Sequence, residues 1–148
     1  MQLIIDKKNI VNNYLKDYDF QYNEYGKPYV DEFYFNKSHS DEISCLIIDN
    51  KECGIDIEKV KKYNELMASK IFSSDENRFL SGKMDKDFYF TLLWTLKESY
   101  LKAVGCGISV KLSDISFVNN NKLLFKYNGY KLRVIRVCDY IISTCRKD

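Results

Sequence analysis

Four charged side chains in this sequence have the types and spacings that phosphate chemistry needs. Asp56 and Glu58 are two apart in the run Ile55-Asp56-Ile57-Glu58. On an extended strand both carboxylates point to one face, and the isoleucines to the other. Glu98 and Lys102 are four apart in Trp94-Thr95-Leu96-Lys97-Glu98-Ser99-Tyr100-Leu101-Lys102, so on a helix they are surface neighbours. Three carboxylates in one place raise each other's pKa unless a cation neutralises them. Oxygen ligands without imidazole or thiol select a hard ion, Mg²⁺ or Mn²⁺. Such an ion, held by few carboxylates, keeps positions open for phosphate oxygens. Lys102, one turn beyond Glu98, can clamp the same phosphate. From the residues, this is a metal-assisted phosphoryl-transfer site with a polyphosphate substrate. The plain alternative is an ordinary helix ion pair and a solvated acidic strand face.

The elements that must bring these groups together are a strand end and a long helix. A helix is expected over residues 87–104, where Phe90, Leu93, Trp94, Leu101 and Val104 recur at helical spacing. Tyr89, Leu92, Leu96 and Tyr100 widen the apolar stripe to most of the circumference. The remaining polar arc holds Thr91, Thr95, Glu98, Ser99 and Lys102, and is expected to be the wet edge of the helix. Lys97 falls inside the apolar arc, against that pattern. It either snorkels past Trp94 to the site, or the helix buries a different face.

Upstream, an amphipathic helix is expected over 7–18, on Ile10, Val11, Tyr14, Leu15 and Tyr18. Residues 43–48 and 52–57 read as an antiparallel hairpin across Asp49-Asn50. A helix over 63–72 follows. Ser73-x-x-Glu76 then offers a capping box for a short helix that Gly82 ends. After Gly105-Cys106-Gly107 come strands at 115–118, 122–127, 130–137 and 140–144, with Asn128-Gly129 as a hairpin turn. The expected class is α+β, a mainly antiparallel sheet packed against a long helix, in one domain over 1–148.

Composition excludes little. The chain has 148 residues, 45% hydrophobic and 30% charged, with a net charge of +2 that implies no strongly basic or acidic partner and no nucleic acid. Cys45, Cys53, Cys106, Cys138 and Cys145 form no CxxC pair, and three lie in apolar runs where a thiol is a small buried hydrophobe. A reducing compartment is expected. No run has the length of a signal peptide or membrane span, so a cytoplasmic protein is expected.

Cys53-Gly54-Ile55-Asp56-Ile57-Glu58, followed by Trp94 to Lys102, resembles the paired signature of the 4′-phosphopantetheinyl transferases. Tyr25-Gly26-Lys27-Pro28 and Phe35-Asn36-Lys37-Ser38-His39-Ser40, upstream in the right order, point to the surfactin-synthetase-type branch. Four spaced motifs in order are a specific signal. The resemblance implies transfer of the phosphopantetheine arm of coenzyme A to a serine of an apo acyl or peptidyl carrier protein, releasing adenosine 3′,5′-bisphosphate. Asp56, Glu58 and Glu98 would hold Mg²⁺ against the pyrophosphate, and Lys102 would bind that pyrophosphate. Glu98, or a metal-bound water, would accept the serine proton. Lys27, Ser38 and His39 match positions that hold the 3′-phosphate and adenine end.

The sequence departs from the pattern in places. Only 25 residues precede Gly26, an abbreviated N-terminal part over 1–24. The expectation is a chain that dimerises or trimerises to complete the site, or a coenzyme A site that is incomplete. Lys37, Asp41 and Cys106 stand where the family more often has an aliphatic residue, a glycine and a basic residue. The rival reading is a non-catalytic or weakly active coenzyme A-binding homologue that serves as a subunit or regulator.

Overall fold

The computed structural model describes residues 1–7, 12–107 and 110–148. In chain order come β1 (Gln2–Lys7), β2 (Gln21–Tyr22), β3 (Pro28–Tyr29), β4 (Tyr34–Ser40), β5 (Ile43–Asp49) and β6 (Cys53–Lys59). Next are α1 (Glu65–Ile71), α2 (Ser74–Ser81), α3 (Lys86–Val104) and a 3₁₀ turn (Leu112–Asp114). The chain finishes with β7 (Val118–Asn119), β8 (Lys122–Leu123), β9 (Lys126–Tyr127), β10 (Tyr130–Val137) and β11 (Tyr140–Lys147). One sheet has the order β1-β5-β4 and another β6-β11-β10-β9, all antiparallel. The class is α+β, as the sequence predicts. Among the described residues, no helix is long and apolar enough to cross a membrane.

Strand β6 is where the sheets and the long helix meet. Ile55 and Ile57 pack with Cys45, Ile47, Cys53 and Ile142 into a core between the sheets. The alternate face, with Gly54, Asp56 and Glu58, lies toward α3, so the strand separates an oily side from an acidic one. Cys45, Cys53 and Cys145 are buried, and burial pushes each thiol up to about 12. They are small hydrophobes of the core, as expected.

The expected hairpin across Asp49-Asn50 does not form. β5 pairs with β1 and β4, and β6 pairs with β11. The physical reason is at the corner. Asp49 is buried and accepts a 2.6 Å bond from Nε of Arg146 on β11, while Nη2 of Arg146 reaches Oδ1 of Asn50. That anchor sends the chain from one sheet into the other instead of turning it back. The edge of β6 opposite β11 is covered by side chains. Asn36, Ser38 and Ser40, every second residue of β4, accept hydrogen bonds from the amides of Ile55 (2.9 Å), Ile57 (3.4 Å) and Lys59 (3.1 Å). A ladder of side chains thus stands in for a backbone ladder.

The predicted helix over 7–18 is also corrected. Lys7 ends β1, residues 12–13 are helical and 14–17 form turns, while 8–11 lie outside the described residues. The strand expected over 122–127 is two short ones, β8 and β9, and of 115–118 only Val118 is in a strand. Asn128 and Gly129 both have positive φ and join β9 to β10 in a two-residue turn, as the Asn-Gly signal predicts. The capping box forms, with Ser73 and Glu76 bonded reciprocally.

The expected wet edge of α3 is corrected, because its small polar residues pack on the sheet. Thr91, Thr95 and Ser99 are fully buried, and Thr95 Oγ1 lies 2.7 Å from Ser143 Oγ of β11. Such small side chains allow close approach, and Gly54 sits at the closest point. A Cβ there would lie 2.1 Å from the Ser99 carbonyl oxygen and 2.4 Å from the Ala103 nitrogen. Both obstacles are backbone, so Gly54→Ala must push α3 off β6. Overpacked cores lose 1–3 kcal/mol or more, and Gly54→Ala is expected to cost about 3 kcal/mol in urea unfolding. An unchanged midpoint would show that the contact is softer than the geometry implies.

Candidate active site

β6 and α3 bring the three predicted carboxylates within range of one another's charge, and join Lys102 to Asp56 directly. Asp56, from the acidic face of β6, is buried, with its Oδ1 2.6 Å from Nζ of Lys102. Ser38 Oγ donates to the same oxygen at 2.9 Å and accepts from Lys102 Nζ at 3.1 Å. The other oxygen, Oδ2, is buried and has no hydrogen-bond partner. Burial raises the pKa of Asp56, against the pull of Lys102.

Glu58, one step along the same face, is held differently. Its Oε1 accepts the indole N–H of Trp94 at 3.1 Å, and its Oε2 pairs with Lys61 at 2.9 Å. The pKa of Glu98 is raised, by burial first and then by the charge of Asp56, with Glu58 adding to it. The charges of Asp56 and Glu58 therefore act on Glu98, a repulsion that a bound cation would relieve. Among the described residues, no three His, Cys, Asp or Glu side chains form a ready-made metal cage. The donor chemistry nonetheless fits a hard divalent ion: oxygen ligands only, one of them an orphaned buried oxygen. Asp56, Glu58 and Glu98 are the residues that would hold it.

A cleft of roughly 270 Å³ opens beside these groups, lined in part by Lys27, Asn36, Glu98, Lys102 and Gly105. Lys27 lines it, but its amine is turned to the carbonyls of Ala103 (3.0 Å) and Cys53 (3.4 Å). Burial lowers its pKa. It caps the C-terminal end of α3, where a cation suits the helix dipole, beside Gly105 in the left-handed conformation. His39 is exposed and absent from the lining, because strand alternation turns it away from the face of Ser38. Direct bonds thus join Asp56, Lys102 and Ser38, Glu58 and Glu98 lie within range of the Asp56 charge, Lys27 sits at the cleft wall, and His39 is outside it.

Lys97 does not snorkel to the site. It is fully buried on the far side of α3, paired with Glu76 at 2.7 Å and donating to the carbonyls of Leu112 and Ile115. Sequence reasoning missed Trp94 and Lys61 as partners of Glu58. The helical spacing Trp94, Glu98, Lys102 carried the signal for the first, since it puts the indole on the same face as the acid and the amine. As the chain's single tryptophan beside an acid of the site, Trp94 is a built-in reporter. Titration with Mn²⁺ is expected to change its fluorescence, and Glu58→Ala to remove that change. An unaltered emission spectrum up to millimolar Mn²⁺ would speak against Glu58 as a ligand.

Residues 52–145 match the family pattern of the 4′-phosphopantetheinyl transferase superfamily. The 4′-phosphopantetheinyl transferase gsp of Aneurinibacillus migulanus is 38% identical over 114 residues, 74% of this chain and 48% of that protein. The 4′-phosphopantetheinyl transferase Sfp of Bacillus subtilis strain 168 is 40% identical over 106 residues, 68% of this chain and 47% of that protein. This chain spans about half the length of the curated relatives it matches. The crystal structure of Thermotoga maritima holo-acyl-carrier-protein synthase shares the fold, with a TM-score of 0.55 at 21% identity over 66% of this chain and 62% of that one.

Proposed function

Because this chain belongs to the 4′-phosphopantetheinyl transferase superfamily, in its surfactin-synthetase-type branch, we propose that it transfers 4′-phosphopantetheine from coenzyme A to a carrier protein. The acceptor is a serine hydroxyl of an apo acyl or peptidyl carrier protein. The new bond joins that oxygen to the phosphorus bearing the pantetheine arm. The bond broken is the one to the bridging oxygen of the diphosphate, which leaves as adenosine 3′,5′-bisphosphate.

One observation carries this reading: Asp56, buried with one oxygen unbonded, is held by Lys102, which lines a cleft together with Glu98, and the charge of Asp56 acts on Glu98. Asp56, Glu58 and Glu98 would hold a magnesium ion, which would offset charge on the diphosphate. Lys102 binds the diphosphate and stabilises the charge that develops on the leaving oxygen. Glu98, whose proton affinity burial has raised, accepts the proton of the attacking serine. Lys27 supplies a cation at the cleft wall for the adenosine 3′-phosphate, exchanging its backbone carbonyls for phosphate oxygens.

The test is mass spectrometry of an apo carrier protein incubated with this chain, coenzyme A and Mg²⁺. The expected result is one phosphopantetheinyl group on a single serine, lost when Mg²⁺ is chelated. Coenzyme A binding without any modification of several carrier proteins would favour a non-catalytic homologue instead.

A further inference from the structure

Ser38 is the best-connected polar side chain at the site, and its contacts run to the protein's own machinery. Its hydroxyl donates to Asp56 Oδ1 at 2.9 Å, accepts from Lys102 Nζ at 3.1 Å and accepts from the Ile57 amide at 3.4 Å. One donor and two acceptor directions are all that a hydroxyl has. All three are in use. A fourth partner, such as a phosphate oxygen, would have to displace one of them.

Its strand position explains how the contacts arise. Asn36, Ser38 and Ser40 form the side-chain ladder on β6. Ser38 is the rung that also faces the carboxylate between Ile55 and Ile57. Asn36 and Ser40 have the same backbone task without touching Asp56 or Lys102. The ladder thus tethers β4 to β6, and its middle rung orients the acid and the amine.

We propose that Ser38 is a positioning residue that aims the Asp56 carboxylate and the Lys102 amine. With Oδ1 of Asp56 tied to Ser38 and Lys102, the free Oδ2 is the oxygen left for a cation. Partners that hydrogen-bond a ligating carboxylate alter affinity or activity by 10–100-fold when removed. This inference rests on the transfer activity proposed above.

The experiment compares Ser38→Ala, Ser38→Thr and Ser40→Ala in the full chain, with an apo carrier protein, Mg²⁺, and either coenzyme A or 3′-dephospho-coenzyme A. Ser38→Ala is expected to lower kcat about 10–100-fold, with KM for coenzyme A within about twofold of the unmodified chain. Its preference for coenzyme A over the 3′-dephospho form should be unchanged. Ser38→Thr, which keeps the hydroxyl, should recover most of the kcat. Ser40→Ala loses a rung of the ladder and should keep its kcat. A collapse of the 3′-phosphate preference in Ser38→Ala would overturn the proposal. So would an equal kcat loss in Ser40→Ala, which would mean that only the seam matters.

A second readout keeps the two ideas apart. Should the unmodified chain fail to transfer, the proposed function falls, and Mn²⁺ titration calorimetry decides on Ser38. Binding weakened about 10–100-fold in Ser38→Ala but not in Ser40→Ala supports the positioning role. Equal affinity in Ser38→Ala and the unmodified chain overturns it, and a chain that neither transfers nor binds Mn²⁺ overturns both.

Discussion

Glu98→Gln is expected to stop transfer while leaving the protein as stable as before, or more so. Glutamine keeps the size of the side chain and loses its charge. It can neither accept the serine proton nor serve as an anionic ligand. Loss of a positioned proton acceptor alone costs about 10²–10⁴-fold in rate, and loss of a metal ligand adds to that. Stability should move the other way, because burial and the neighbouring Asp56 both disfavour ionised Glu98. Its raised pKa means that the native state binds more proton than the unfolded chain. Between the ordinary glutamate value and the raised one, native stability therefore falls as pH rises. In Glu98→Gln that component of the pH dependence should be missing. Unfolding midpoints across this window, with transfer followed by mass spectrometry, check both halves. Transfer within about tenfold of the unmodified chain would remove Glu98 from the role of base.

Lys97→Met is expected to cause the largest loss of stability. Lys97 and Glu76 are both fully buried, 2.7 Å apart. Glu76 also accepts from the amides of Ser73 and Phe117, and Lys97 donates to carbonyls of Leu112 and Ile115. The pair thus pins α2, α3 and the segment before β7 to one point. Methionine fills much of the volume but leaves a buried carboxylate without its counterion, a change worth about 3–5 kcal/mol. That is a large fraction of the total stability of a domain, about 5–15 kcal/mol. For a chain of this size the midpoint should fall by roughly 10 °C. Adding Glu76→Gln removes the stranded charge and should recover at least about 1 kcal/mol of the loss. A double variant no better than Lys97→Met alone would mean that the charge is not what matters. Because Lys97 directly precedes Glu98 in α3, transfer should fall with stability in these variants.

What could be read from the residues, and what could not, follows the range of the interactions. The long helix, its Gly105 stop, the capping box at Ser73 and the Asn128-Gly129 turn are all local, set by spacings within a few residues. The shared face of Asp56 and Glu58 is local too. The false hairpin at Asp49 was not legible, because Arg146, nearly a hundred residues away, decides where that strand goes. Thr91, Thr95 and Ser99 read as a solvated arc in the sequence, where only their polarity is visible. Their small size is what admits them to the interface with β6 and β11. Lys97 broke the apolar pattern for a reason carried by Glu76, a residue that already had a local explanation as a capping partner. Each error had one cause, a side chain serving a distant partner as well as its neighbours.

The rungs at positions 36, 38 and 40 also govern how the molecule breathes. On β6, the amides of residues 55, 57 and 59 are shielded by side chains from β4, while the alternate amides face β11. Hydrogen exchange at the first set reports the parting of the two sheets; exchange at the second requires the larger sheet itself to come undone. If the first set exchanges sooner, the catalytic groups lose their alignment well before the fold is lost. Heat inactivation would then precede unfolding.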